Sequence, residues 1–178
     1  LAESEAFKNA LAQFSNMPLL GILTGLVLTV IVQSSSAMVG ILQALSSTGA
    51  MTFNLVYPII MGINLGTCVT TAMVCSIGSS RDAKRTGIVH IVFNTLGTIL
   101  FMVVMTILQN MNVGGDAFWF ASVDDTGIAV FQTVFNLATA IMLIPFTNHL
   151  VSLSKAIVKD EPEKPARHPE LTGLSENL

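Results

Sequence analysis

Long apolar blocks separated by short polar clusters run along the chain. Over 1–16, Ala6, Phe7, Ala10, Leu11 and Phe14 recur at helical spacing among Glu3, Glu5 and Lys8, which predicts an interfacial amphipathic helix. Pro18 then admits an apolar run, Leu19–Val32, which stops at Gln33-Ser34-Ser35-Ser36 and resumes over Ala37–Leu45. As helices, arms of that length reach roughly 15–22 Å, short of a hydrocarbon core of about 30 Å. Two readings fit: a re-entrant hairpin with the polar cluster at its tip, or one long helix broken at its centre. Ser46-Ser47-Thr48-Gly49 reads as a turn.

Phe53–Ile77 is long enough to cross a bilayer. Gly62, Asn64 and Gly66 weaken a helix at its middle, so local unwinding into two half-helices is expected there. Gly78–Arg85 reads as a charged loop, and Thr86–Leu108 as a second crossing. The loop Asn110–Asp125 carries Asp116, Asp124 and Asp125 and no basic residue. Trp119, between Phe118 and Phe120, reads as an interfacial anchor. Thr126–Val151 spans back, with Pro145 near its end, and from Ser152 the chain becomes a polar, proline-punctuated tail. The organisation is therefore 1–16 interfacial helix, 17–151 membrane module and 152–178 tail or linker. His90-Ile91-Val92-Phe93-Asn94 also matches Gln132-Thr133-Val134-Phe135-Asn136, a weak internal repeat.

Charge changes the picture from apolar to membrane-embedded. No Asp, Glu, Lys or Arg occurs in the 72 residues between Lys8 and Arg81. Apolar residues make up 52% and charged residues 11% of the 178-residue chain, whereas soluble domains carry about 25% charge. An ordinary soluble globule is excluded, and the net charge of −3 argues against a nucleic-acid partner. The lipid bilayer is the implied surrounding. Arg81, Lys84 and Arg85 flank one side of the last two crossings, as do Lys155 and Lys159. The positive-inside rule places both groups, and the C-terminal tail, in the cytoplasm of a multi-pass protein of the plasma or inner membrane. The chain begins with Leu1 rather than a basic signal sequence, consistent with a piece of a longer protein.

The chemistry lies in the polar interruptions. A glutamine and three serines in mid-membrane suit an oxyanion, because a hairpin tip supplies hydroxyls, backbone N–H groups and the positive end of a helix dipole. Helix packing is the other use of such small residues. Gly62-x-Asn64-x-Gly66-Thr67 offers hard oxygen ligands for Na⁺ if the helix unwinds, with Thr70 able to join; glycine-lined helix contact is the alternative. Asn94 and Asn136 fall at mid-membrane depth and could line the site or bond between helices. His90 suits an interhelical or headgroup bond. Cys68 and Cys75 lie two helical turns apart, about 10 Å, too far for a disulfide. No cofactor other than the coupling ion is implied, and no enzyme constellation appears.

These residues resemble the type II sodium-dependent phosphate cotransporter family. The resemblance rests on Gln33-Ser34-Ser35-Ser36-Ala37, Gly62-x-Asn64-x-Gly66-Thr67, Arg81-x-x-Lys84-Arg85, His90-x-x-Phe93-Asn94, Phe135-Asn136 and Pro145-Phe146, over roughly residues 18–150. It implies an all-α integral membrane fold: one inverted repeat with a re-entrant or broken hairpin, a discontinuous helix and two further transmembrane helices. It implies sodium-coupled symport of inorganic phosphate, with Gln33, Ser34, Ser35 and Ser36 on substrate and Asn64, Gly66, Thr67 and Thr70 on sodium. A second repeat, as a missing N-terminal half or a second copy, completes such a site. A cytoplasmic helical domain of the phosphate-regulator type is a further implied partner. Ile63 and Cys68 depart from the pattern. A membrane phosphate sensor signalling through its tail, or an ion channel, are the rival readings.

Overall fold

The computed structural model describes residues 17–159, and these are helical with no β-strand. The helices are α1 (Pro18–Val32), α2 (Ser35–Ser46), α3 (Phe53–Ser76), α4 (Arg81–Asn110), the short α5 (Gly115–Trp119), α6 (Asp125–Leu143) and α7 (Thr147–Ile157). A 3₁₀ turn over Ile144–Phe146, carrying Pro145, joins α6 to α7. The helix expected over 1–16 and the tail from residue 160 lie outside the described residues. By length and apolarity, α3, α4 and the α6–α7 run (Asp125–Ile157) are long enough to cross a membrane.

The organising contact is α1 on α3. Gly21 faces Pro58, Gly25 faces Ile59 and Gly62, and Gly66 faces Thr29, so the two helices run parallel. A Cβ on Gly25 would collide with the Ile59 carbonyl, and one on Gly62 with the Ile22 carbonyl. Backbones therefore meet directly, as small residues four apart allow in membrane helices. At Gln33 and Ser34 the chain reverses. The far end of α2 returns to the start of α3, with Leu42 and Leu55 in one apolar cluster, and Gln43 Nε2 donates to the Asp125 carbonyl of α6 at 3.0 Å. The result is a helical hairpin lying beside α3.

Helix α3 is one continuous helix of 24 residues, and this corrects the expected break at Gly62–Thr67. The glycines that weaken an isolated helix are here repaid by contact with α1, and Pro58 is also tolerated within it. Helix α4 begins at Arg81, five residues earlier than expected, because Ser80 Oγ accepts the Ala83 N–H at 3.2 Å and Asp82 sits at the positive helix end. The presumed charged loop is thus largely the first turns of α4. Helix α7 continues to Ile157, so the first residues of the expected tail are helical.

Two apolar clusters fill the interior. One joins Met38, Val39 and Leu42 of α2 to Leu55, Val56, Ile59, Ile60 and Ile63 of α3 and to Ile128 of α6. The other gathers Tyr57, Met61, Met105, Trp119 and Phe135, with Phe53 against Tyr57, Phe118, Trp119 and Phe131. Trp119 is a core residue, only 3% exposed, and not the interfacial anchor the sequence suggested. Its indole N–H has the Val113 carbonyl as acceptor at 3.1 Å, which lets the ring be buried.

The seam makes a sharp mutational prediction. Gly62→Ala forces α1 away from α3 and destabilises by about 1–3 kcal/mol. Gly40→Ala, where a Cβ meets nothing within 4 Å, is neutral or stabilising by about 0.5–1 kcal/mol. Thermal unfolding in detergent separates the two outcomes.

Candidate functional site

The hairpin tip is built by two caps. Gln33 closes α1 in the left-handed region (φ 55°), its N–H donating to the Thr29 carbonyl at 2.7 Å. A non-glycine residue in that region costs about 1 kcal/mol. Ser34 is extended and caps α2: its Oγ accepts the Ala37 N–H at 3.2 Å and lies 3.2 Å from Ser36 Oγ. The backbone N–H groups of Ser35 and Ser36 open the 12-residue α2 and have no acceptor among the described residues. Oriented N–H groups, hydroxyls and the positive end of the helix dipole thus share one place.

The second motif lies beside the first because α1 carries it there. Thr29 packs on Gly66, and its carbonyl holds Gln33, so the tip sits about one turn beyond the Gly66 level of α3. With α3 unbroken, the backbone carbonyls of Asn64–Thr67 stay in helical bonding. Thr67 Oγ1 donates to the Asn64 carbonyl at 2.6 Å, and Thr70 Oγ1 to the Thr67 carbonyl at 2.9 Å. Carbonyls freed by unwinding are therefore absent from this arrangement. Hydroxyl lone pairs and the Asn64 amide oxygen remain as hard donors. Gly66 serves as the packing surface for Thr29.

The structure brings Asn64 and Asn136 together, with Asn64 Nδ2 donating to Asn136 Oδ1 at 3.3 Å. Asn94 is buried and donates to the carbonyl of His90 on its own helix at 3.1 Å. It faces the interior without joining the Asn64–Asn136 pair. Near the same depth, Gly97 of α4 packs directly on Thr139 of α6. Among the described residues, four buried side-chain atoms have no hydrogen-bond partner: Thr29 Oγ1, His90 Nδ1, Thr98 Oγ1 and Thr139 Oγ1. Thr29, 1% exposed, is the residue that motif reading missed. Its signal was present: Gly21, Gly25, Thr29 and Gln33 are spaced by four, as are Gly62 and Gly66.

A helical bundle with three helices long and apolar enough to span, and a serine-capped hairpin tip laid against a threonine- and asparagine-bearing helix, defines an integral membrane protein. A family model described as Na+/Pi-cotransporter matches residues 1–131, and the chain belongs to that family, one of transporters and not of enzymes. Among relatives, the chain is 33% identical over 127 residues to "Uncharacterized protein YqeW" of Bacillus subtilis (strain 168), covering 71% of this chain and 39% of that protein. It is 29% identical over 152 residues to "Sodium-dependent phosphate transport protein 2B" of Homo sapiens, covering 79% of this chain and 20% of that protein. "Putative inorganic phosphate export protein YjbB" of Escherichia coli (strain K12) is 25% identical over 146 residues, covering 82% and 26% respectively. The chain thus spans well under half the length of these relatives. No solved structure matches it.

Two expectations follow from the geometry. Thr29→Val removes a hydroxyl that bonds to nothing, so thermal stability is unchanged or rises by about 1–2 kcal/mol. A double-mutant cycle of Asn64→Ala with Asn136→Ala yields a coupling of about 0.6 kcal/mol, the usual size for a polar pair between membrane helices.

Proposed function

We propose that the chain is about half of a sodium-coupled symporter of inorganic phosphate. The observation that carries this reading is the α1–α2 tip, where Ser34, Ser35 and Ser36 surround the open end of α2. Phosphate takes the Ser35 and Ser36 N–H groups, the serine hydroxyls and Gln33. Sodium takes oxygens of Asn64, Thr67 and Thr70. Asn136 positions Asn64, Gly66 admits α1, and Asn94 lines the interior from α4.

Magnitudes explain why the ion is needed. A helix N-terminus contributes about 0.3–1 kcal/mol, rising to about 2 in partly buried geometry, toward holding an anion. Removing a charged group from water costs several kcal/mol. No Lys or Arg occurs between residues 17 and 80 to make up the difference. Bound Na⁺ supplies the missing positive charge, and the two ligands then raise each other's affinity by the same factor.

The hairpin is re-entrant on this reading, entering from the outer face and ending mid-membrane. Arg81, Lys84, Arg85, Lys155 and Lys159 lie on the cytoplasmic side. A second repeat of opposite orientation, in an N-terminal half or a second copy, brings its own tip to the shared site, and movement of one repeat against the other alternates access. The relatives' printed names include both sodium-dependent transport and export, so direction is read by experiment.

The test is phosphate flux into proteoliposomes bearing the complete protein, with and without an inward Na⁺ gradient. Accumulation against a phosphate gradient, only with Na⁺, is the expected result. Downhill flux alone indicates a channel, binding without flux indicates a sensor, and either overturns symport. Ser34→Ala removes both a cap and a ligand. It costs about 0.5–2 kcal/mol of stability and weakens phosphate binding, whereas unchanged affinities for phosphate and Na⁺ would remove Ser34 from the site.

A further inference from the structure

At the basic end of the bundle two arginines clasp the chain where it leaves α7. Arg85 donates from Nε and Nη2 to the Val158 carbonyl, at 3.1 and 2.8 Å, and Arg81 donates from Nη1 to the Lys159 carbonyl at 3.1 Å. These bonds join the start of α4 to the chain just beyond α7, segments more than 70 residues apart. They gather Arg81, Lys84, Arg85, Lys155 and Lys159 at one end of the helices, with Asp82 the one carboxylate there among the described residues. Asp82 is already engaged, 3.6 Å from Arg85.

Beside this cluster is an open cavity of about 380 Å³ between α3 and α4. Ala72, Gly87, Ile88, Ile91 and Val158 contribute mainly apolar lining, and Lys84 stands at the same cavity. Among the described residues the Lys84 side chain makes no hydrogen bond or ion pair. The cavity lies where α3 ends at Ser76 and α4 begins at Arg81, the depth at which spanning helices leave the hydrocarbon.

We infer that this groove binds one anionic phospholipid, its acyl chain along Ala72, Ile88 and Ile91 and its headgroup phosphate on Lys84. An apolar groove alone accepts any lipid chain. The Lys84 ammonium beside it selects the anionic headgroup. Gly87 keeps α3 and α4 close, since a Cβ there would collide with Cys75 Sγ. Lipid and the Arg clasp meet at Val158, which lines the groove and accepts from Arg85, so occupancy also braces the exit of the chain from α7. The site is separate from the hairpin tip and does not rest on the transport reading.

The test is native mass spectrometry of the complete protein released from nanodiscs of equal phosphatidylglycerol and phosphatidylcholine. The wild type retains phosphatidylglycerol in preference. Lys84→Gln lowers that retention about fivefold, the factor equivalent to about 1 kcal/mol per basic residue at a bilayer surface. Lys84→Arg keeps it. Ala72→Phe, which fills the groove and leaves the charges, lowers retention as well. Lys84 is partly exposed on the first turns of α4 and its side chain holds no neighbour, so the Gln variant folds and remains decisive. Equal retention of the two lipids by the wild type, unchanged retention in Lys84→Gln, or displacement of the lipid by millimolar inorganic phosphate would each overturn the proposal.

Discussion

The direct backbone contact of α1 with α3 is the constraint on which the rest depends. A bilayer offers little hydrophobic drive to bring apolar helices together, so close packing has to supply it. Gly25 against Ile59, Gly62 against Ile22 and Gly66 against Thr29 let the backbones meet. Weak Cα–H···O contacts to carbonyls become available at that distance. Helix α1 is too short to span by itself. Held in this seam, it carries Gln33 and Ser34 to the depth of Thr67 and Thr70.

Several polar groups in the interior are bonded within their own helix or to a neighbouring one. Hydroxyls of Thr67 and Thr70 bond back to their own helix, Asn64 finds Asn136, and Asn94 finds the His90 carbonyl. Near the Asp-bearing end, Gln109 donates to Asn54 Oδ1 at 2.8 Å beside the aromatic cluster. Against that background the unpartnered buried atoms of Thr29, His90, Thr98 and Thr139 and the open N–H groups of Ser35 and Ser36 stand out. Bonds left unmade in an apolar medium are costly.

Motif reading put a polar interruption at Gln33–Ser36, and two helices meet there, the second capped by Ser34. It failed where propensity was judged on one helix in isolation. Gly62 and Gly66 weaken a lone helix, yet α3 is unbroken because their missing side chains are the space α1 fills. Trp119 failed for a related reason: its neighbours Phe118 and Phe120 looked like a belt, but an acceptor at Val113 and a socket of aromatic rings draw the indole inward. Thr29 lies on the four-residue spacing of Gly21 and Gly25, but its burial follows from Gly66 on another helix.

By itself the sequence determined that this chain is helical and membrane-embedded, because 72 consecutive uncharged residues cannot cover a water-facing surface. It also determined where the polar interruptions lie and which ends are basic, since these are properties of linear order. Only the tertiary structure decided that the chain reverses at Gln33, that α3 stays whole, and that Asn64 pairs with Asn136 while Asn94 does not. It alone brought Lys84 to a groove beside Val158. Each of these depends on which helix face meets which. That choice is made by backbone fit at a few small residues, and linear order does not contain it.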